Sequence, residues 1–118
     1  MLYALLIHSD LPANQQLTDE ERREAIRAHQ VVQKEASAKG QFVAAAQLDR
    51  LQTAVTLRNA ESGFSLHDGP FMETKEWLVG FYLLECPDQE TALAHARRLC
   101  PIGTGSIELR PVVYHRAV

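Results

Sequence analysis

Cysteine is scarce in this chain: Cys86 and Cys100 are the only two in 118 residues. They form no Cys-x-x-Cys pair and no Cys/His ligand spacing, so no structural zinc is implied. Both read as buried free thiols of a cytosolic protein, where cysteine behaves as a small hydrophobe. An excess of one charge is also missing. Twelve basic residues are set among fifteen acidic ones, giving a net charge of −3. Without a basic face the chain does not read as a nucleic-acid binder. No apolar run approaches the ~20 residues of a membrane span. The opening "MLYALLIHSD" has no basic n-region and no small-residue cleavage site, so it reads as a strand and not a signal peptide. A phosphate loop, a Gly-x-Ser-x-Gly elbow and a dinucleotide fingerprint are absent, and no cofactor is called for. Internal repeats and linkers are absent too. What is left is one cytoplasmic domain over residues 1–118, with the 46% apolar and 23% charged content of an ordinary globular protein.

What is present is a run of short periodic segments. Leu2 to His8 is apolar at alternate positions on both faces, the pattern of a strand buried on both sides. A helix signature follows: Thr18 as cap, Glu21 three residues on to close a capping box, acids in the first turn, and a stop at Gly40. Its inward stripe is Ala25, Ile26, His29, Val32 and Ala36. Phe42 to Leu48 is a strand by position but weak by propensity, because alanine favours helix. Ala54 to Asn59 alternates cleanly, Glu61-Ser62-Gly63 turns, and Phe64 to His67 returns as a short hairpin. Trp77 to Cys86 is a second strand apolar on both faces. Asp88 caps a second helix with Ala92, Leu93, Ala96, Leu99 and Cys100 inward, while His95 falls on its outer, solvated side. Pro101 and Gly103 end that helix. The last strand starts at Ser106, and Pro111 marks an edge or an irregularity.

This order, with one helix after each strand that is apolar on both faces, predicts an α+β, ferredoxin-like βαββαβ sandwich with an extra short hairpin. Both helices then cover one sheet face. The other face is apolar as well and is a liability for a monomer, which predicts a homodimer through sheet faces. The competing expectation is that the hairpin covers that face within one chain.

Chemistry concentrates in "HDGPFMETKE", residues 67–76. Asp68 can bond the backbone two residues on, Gly69 tolerates positive φ, Pro70 fixes φ, and Phe71 plugs the end of the core. The result is a rigid corner, and rigid corners hold reactive groups well. Two readings fit His29. Either it is a core histidine bonded to a carbonyl, or it is a general base oriented by a carboxylate, for which Asp68 is the candidate. Glu73 and Lys75 are either solvated loop surface or a clamp for a small anionic substrate. Arg110, beside Glu108, is a second anion clamp or half of a cross-strand ion pair.

"DGPFMETKEWLVGFYLLECPDQETALAHARRLCP" followed by "SIELRPV" resembles the YCII-related family, in particular the branch marked by the Asp-Gly-Pro-Phe motif. The ordered set of motifs extends over about 100 residues, and the resemblance over essentially the whole chain. One departure is Val79-Gly80-Phe81, where the family often has a glycine pair, and it alters how closely the backbone can be approached there. The resemblance implies a ferredoxin-like fold of the dimeric α+β barrel type. It implies a His-Asp pair in a cleft, as proposed for some relatives, one relative being a dehydrochlorinase of a chlorinated aromatic. Members of the branch also occur beside or fused to extracytoplasmic-type sigma factors. Two functions follow. The first is a cofactor-free acid-base enzyme for a small, anionic or aromatic molecule, with His29 and Asp68 as the catalytic pair and Gly69, Pro70, Phe71, Glu73, Lys75 and Arg110 binding substrate. The second is a non-catalytic dimeric ligand-binding or regulatory module.

Overall fold

The two strands that are apolar on both faces become the centre of the sheet. In the computed structural model, which describes residues 1–11, 15–70, 76–100 and 105–116, β1 (Leu2–Ser9) lies antiparallel to β5 (Trp77–Glu85). Flanking them are β2 (Phe42–Gln47), on β5, and β6 (Ser106–Pro111), on β1, giving the order β2-β5-β1-β6. All pairs are antiparallel. With α1 (Asp19–Ala38) between β1 and β2, and α2 (Gln89–Leu99) between β5 and β6, the architecture is α+β and compatible with a ferredoxin-like fold. Pro111 sits at the end of an edge strand, where a missing N–H costs least.

Both helices start as their caps dictate. Thr18 accepts from the Glu21 amide while the Glu21 carboxylate accepts from the Thr18 amide, and Asp88 accepts from the Thr91 amide. Their buried sides meet one face of the sheet. Val32 and Ala36 of α1, with Ala92, Ala96 and Leu99 of α2, pack on Tyr3, Leu5, Ile7, Tyr82 and Leu84. Leu5, Leu84 and Val32 are fully buried, and each such side chain contributes roughly 1.5–3 kcal/mol of transfer free energy. By strand alternation, Leu2, Ala4 and Leu6 of β1 with Phe81 and Leu83 of β5 point to the opposite face. There they are only partly buried, because neither helix lies on that side.

Among the described residues, the remaining strands, β3 (Val55–Ala60) and β4 (Gly63–Asp68), pair only with each other. They contact the rest of the described structure sparsely. Register places Val55, Leu57, Phe64 and Leu66 on one face of this ribbon, all more than half exposed. Thr56, Arg58, Ser65 and His67 take the other face.

Three expectations are corrected. His95 is not solvated but 4% exposed, with its Nε2 donating to Gln41 Oε1 at 2.9 Å. The reason is that α2 packs on α1 as well as on the sheet, so its buried arc is wider than one stripe. Cys100 is exposed while Cys86 is buried, because the backbone turns extended at Cys100 as the chain leaves α2. Ile26 is half exposed, because the first turns of α1 run beside an open cleft.

Candidate functional site

The cleft, of about 1210 Å³, lies between the first half of α1 and the β2 edge of the sheet. Its geometry follows from small residues. Ala45 and Ala46 of β2 stand opposite Tyr82 and Phe81, so the weak strand propensity of that alanine run is outweighed by the ladder it completes. The backbone comes close here. A Cβ on Gly80 would meet the carbonyl oxygen of Ala46 at 2.6 Å. Only glycine lets β2 and β5 approach to this distance without a shift.

His29 projects from α1 into this cleft. Its Nδ1 lies 2.7 Å from the Tyr82 hydroxyl, which also accepts from Gln33 Nε2 at 2.9 Å. The His29 and Tyr82 rings are tilted by 32° with centroids 5.6 Å apart, and Phe42 meets Tyr82 edge-on. Among the described residues Nε2 of His29 has no protein partner. No buried side-chain nitrogen or oxygen is left unpaired there, so Nε2 is open to solvent in the cleft. Burial holds the His29 pKa below the ordinary imidazole value. Burial also raises that of Tyr82, while the hydrogen bond from Gln33 works in the opposite direction by favouring the phenolate. The ring is therefore neutral near pH 7, oriented at one nitrogen and free at the other.

Asp68 ends β4, exposed and opposite Val55. It does not line the His29 cleft, and among the described residues no hydrogen bond or ion pair joins the two. Gly69 takes φ +105°. Its amide donates to the Ala54 carbonyl at 2.7 Å, and its own carbonyl accepts from Thr56 Oγ1 at 2.8 Å. The corner is thus pinned on both sides, with Pro70 exposed beyond it. Phe71, Glu73 and Lys75 lie outside the described residues. Arg110 and Glu108 stand opposite Ala4 and Leu6, on the helix-free face, and Glu108 lies 4.0 Å from His8. Of the expected site residues, only His29 lines the cleft among those described.

Sequence reasoning missed Tyr82 and Gln33. Gln33 is one helical turn after His29 and shares its face. Tyr82 is the one hydroxyl in the apolar run Trp77 to Cys86, at the parity of Leu84. Those two offsets are the signal that was available.

Fold and cleft define a small α+β protein with an oriented histidine in a largely apolar depression. The chain belongs to the YCII-related family, whose domain matches residues 1–116. It is 36% identical over 118 residues to "Uncharacterized protein R00369" of Rhizobium meliloti (strain 1021), covering 98% of this chain and 95% of that protein. No helix among the described residues is long and apolar enough to cross a membrane.

Proposed function

We propose that the cleft is a small-molecule site in which His29 performs acid-base chemistry, without a cofactor, on a small anionic or aromatic compound. The observation that carries this reading is His29 itself, fixed at Nδ1 and open at Nε2 over an apolar wall that includes Ile7, Ala45 and Trp77. A side chain held this way is prepared for proton transfer to a bound molecule.

The Asp-Gly-Pro-Phe branch enters the proposal through the rim of the cleft. Gly69 is bonded to Ala54, two residues beyond cleft-lining Gln52, and the chain comes back at Trp77, which lines the cleft too. In this reading Asp68 is the acid-base partner of His29, and Gly69, Pro70, Phe71, Glu73 and Lys75 bind the substrate. Arg110, on the other sheet face, then acts at the interface of a homodimer formed through the helix-free faces. A partner-binding module is the second reading. It is favoured by the apolar ribbon face of Val55, Leu57, Phe64 and Leu66.

The test is an NMR titration of the His29 ring against a panel of small carboxylates and phenols, in the wild type and in Asp68→Asn. Compounds that shift the His29 signals, together with a titration midpoint that moves in Asp68→Asn, support the site and the pair. Once a substrate is found, His29→Gln is expected to lower turnover by about 10²–10⁴-fold. A panel that leaves the His29 signals unchanged refutes the small-molecule reading.

A further inference from the structure

A tyrosine hydroxyl has one hydrogen to give and lone pairs to accept with. At Tyr82 the Gln33 amide nitrogen supplies a hydrogen from one side, at 2.9 Å. The hydroxyl's own hydrogen is left to place, and the acceptor within reach is His29 Nδ1, at 2.7 Å. A neutral imidazole carries a single N–H, so a ring that accepts at Nδ1 must donate at Nε2. Nε2 is the atom open to the cleft.

We infer that Gln33 and Tyr82 are positioning residues that hold neutral His29 in its Nε2–H form, so that the cleft offers an N–H donor and takes a small molecule carrying an acceptor, a carboxylate or a polarised carbonyl, against its apolar wall. The inference rests on the small-molecule reading above and narrows it, since His29 begins as a donor and not as a base. The charged lining supplies no such direction, because Arg22 and Arg50 share the cleft with Glu24 and Asp49. A donor of this kind stabilises negative charge that gathers on a ligand oxygen. The opposite polarity leaves the buried hydroxyl hydrogen without an acceptor unless the amide oxygen of Gln33, not its nitrogen, faces Tyr82.

The tautomer is read without a substrate, from long-range ¹H–¹⁵N spectra of the full chain at about pH 8, where the ring is neutral. The expected result is an unprotonated Nδ1 and a protonated Nε2. In Gln33→Glu the carboxylate can only accept, so Tyr82 turns its hydrogen to it, Nδ1 must donate, and the tautomer inverts. Tyr82→Phe keeps the edge contact with Phe42, frees the ring and gives a mixture of tautomers. Benzoate and benzylamine, alike in shape, then probe the ligand class. Benzoate is expected to shift the His29 signals at about tenfold lower concentration, and that advantage is lost in Gln33→Glu. A wild-type ring protonated at Nδ1, or a preference for benzylamine, overturns this inference and leaves the small-molecule reading standing. The expected tautomer with no response to either probe, or to the panel, overturns both the ligand class and that reading, while the positioning by Tyr82 holds.

Discussion

Replacing Gly80 by alanine tests the close approach that shapes the cleft. The new Cβ would sit 2.6 Å from the Ala46 carbonyl oxygen, and real Cβ contacts essentially never fall below 3.0 Å. That atom is backbone and belongs to a strand, so no side chain can swing aside. β2 must back away by several tenths of an ångström, next to a ladder bond from the Leu48 amide to the Val79 carbonyl of 2.9 Å. Overpacking of this size costs roughly 1–3 kcal/mol. Against it, removing a glycine from the unfolded chain stabilises by about 0.4–1 kcal/mol. The net expectation is a loss of about 1–2 kcal/mol, read as a lower urea midpoint at unchanged slope. In thermal unfolding the midpoint falls by about 4–10 °C. Gly80→Val should lose more. If Gly80→Ala is as stable as the wild type or more so, β2 does not approach β5 as described and the account of the cleft wall fails with it.

Two further outcomes are expected. Burial, and then the charge of Lys39, hold the His95 pKa below its ordinary value of 6.5. Its stabilising contribution is complete above that pH and is lost as the pH falls toward the folded value, because the unfolded chain then binds the proton that the folded one resists. His29 adds to the loss with the same sign. Urea unfolding between about pH 7.5 and pH 5 should show a smaller acid loss in His95→Gln than in the wild type, and parallel curves would contradict the burial of His95. Phe81→Glu sets a charge on the helix-free sheet face, opposite Leu6 and Ala46. Light scattering should then show a dimeric wild type and a monomeric variant, whereas a monomeric wild type defeats the proposed interface.

The central strands, both helices and their caps were legible because each is specified locally. Leu2 to His8 and Trp77 to Glu85 carry their apolar pattern on both faces, and Thr18, Glu21 and Asp88 are capping residues at the right offsets. The miss at His95 depended on neighbours distant in sequence. His95 is buried because α1 lies against α2 and Gln41 reaches its ring, 54 residues away. The same holds for the cleft. His29 stood out as a polar residue in an apolar stripe, but its partner at Nδ1 is 53 residues on, and no spacing rule joins them. Asp68 was chosen because the loop it opens lies between strands that α1 could cover. Order along the chain does not tell what touches the histidine, and among the described residues no hydrogen bond joins the two.

The polar cluster itself argues that the cleft is more than a gap in the packing. Tyr82 is 2% exposed on the helix-facing side of a central strand, between Gly80 and Leu84. Phenylalanine has the same shape and nothing to satisfy. Burying a hydroxyl obliges the fold to supply partners, and here it takes two long side chains from α1 to do so. A typical hydrogen bond returns a net 0.5–1.5 kcal/mol, and replacing all partners by apolar groups of the same shape is often neutral or stabilising. Stability alone therefore does not demand this triplet. Nor does the triplet seal itself, because His29 Nε2 stays open. A purely structural network would close around its last free atom, whereas this one stops one hydrogen bond short, with that atom facing the cleft.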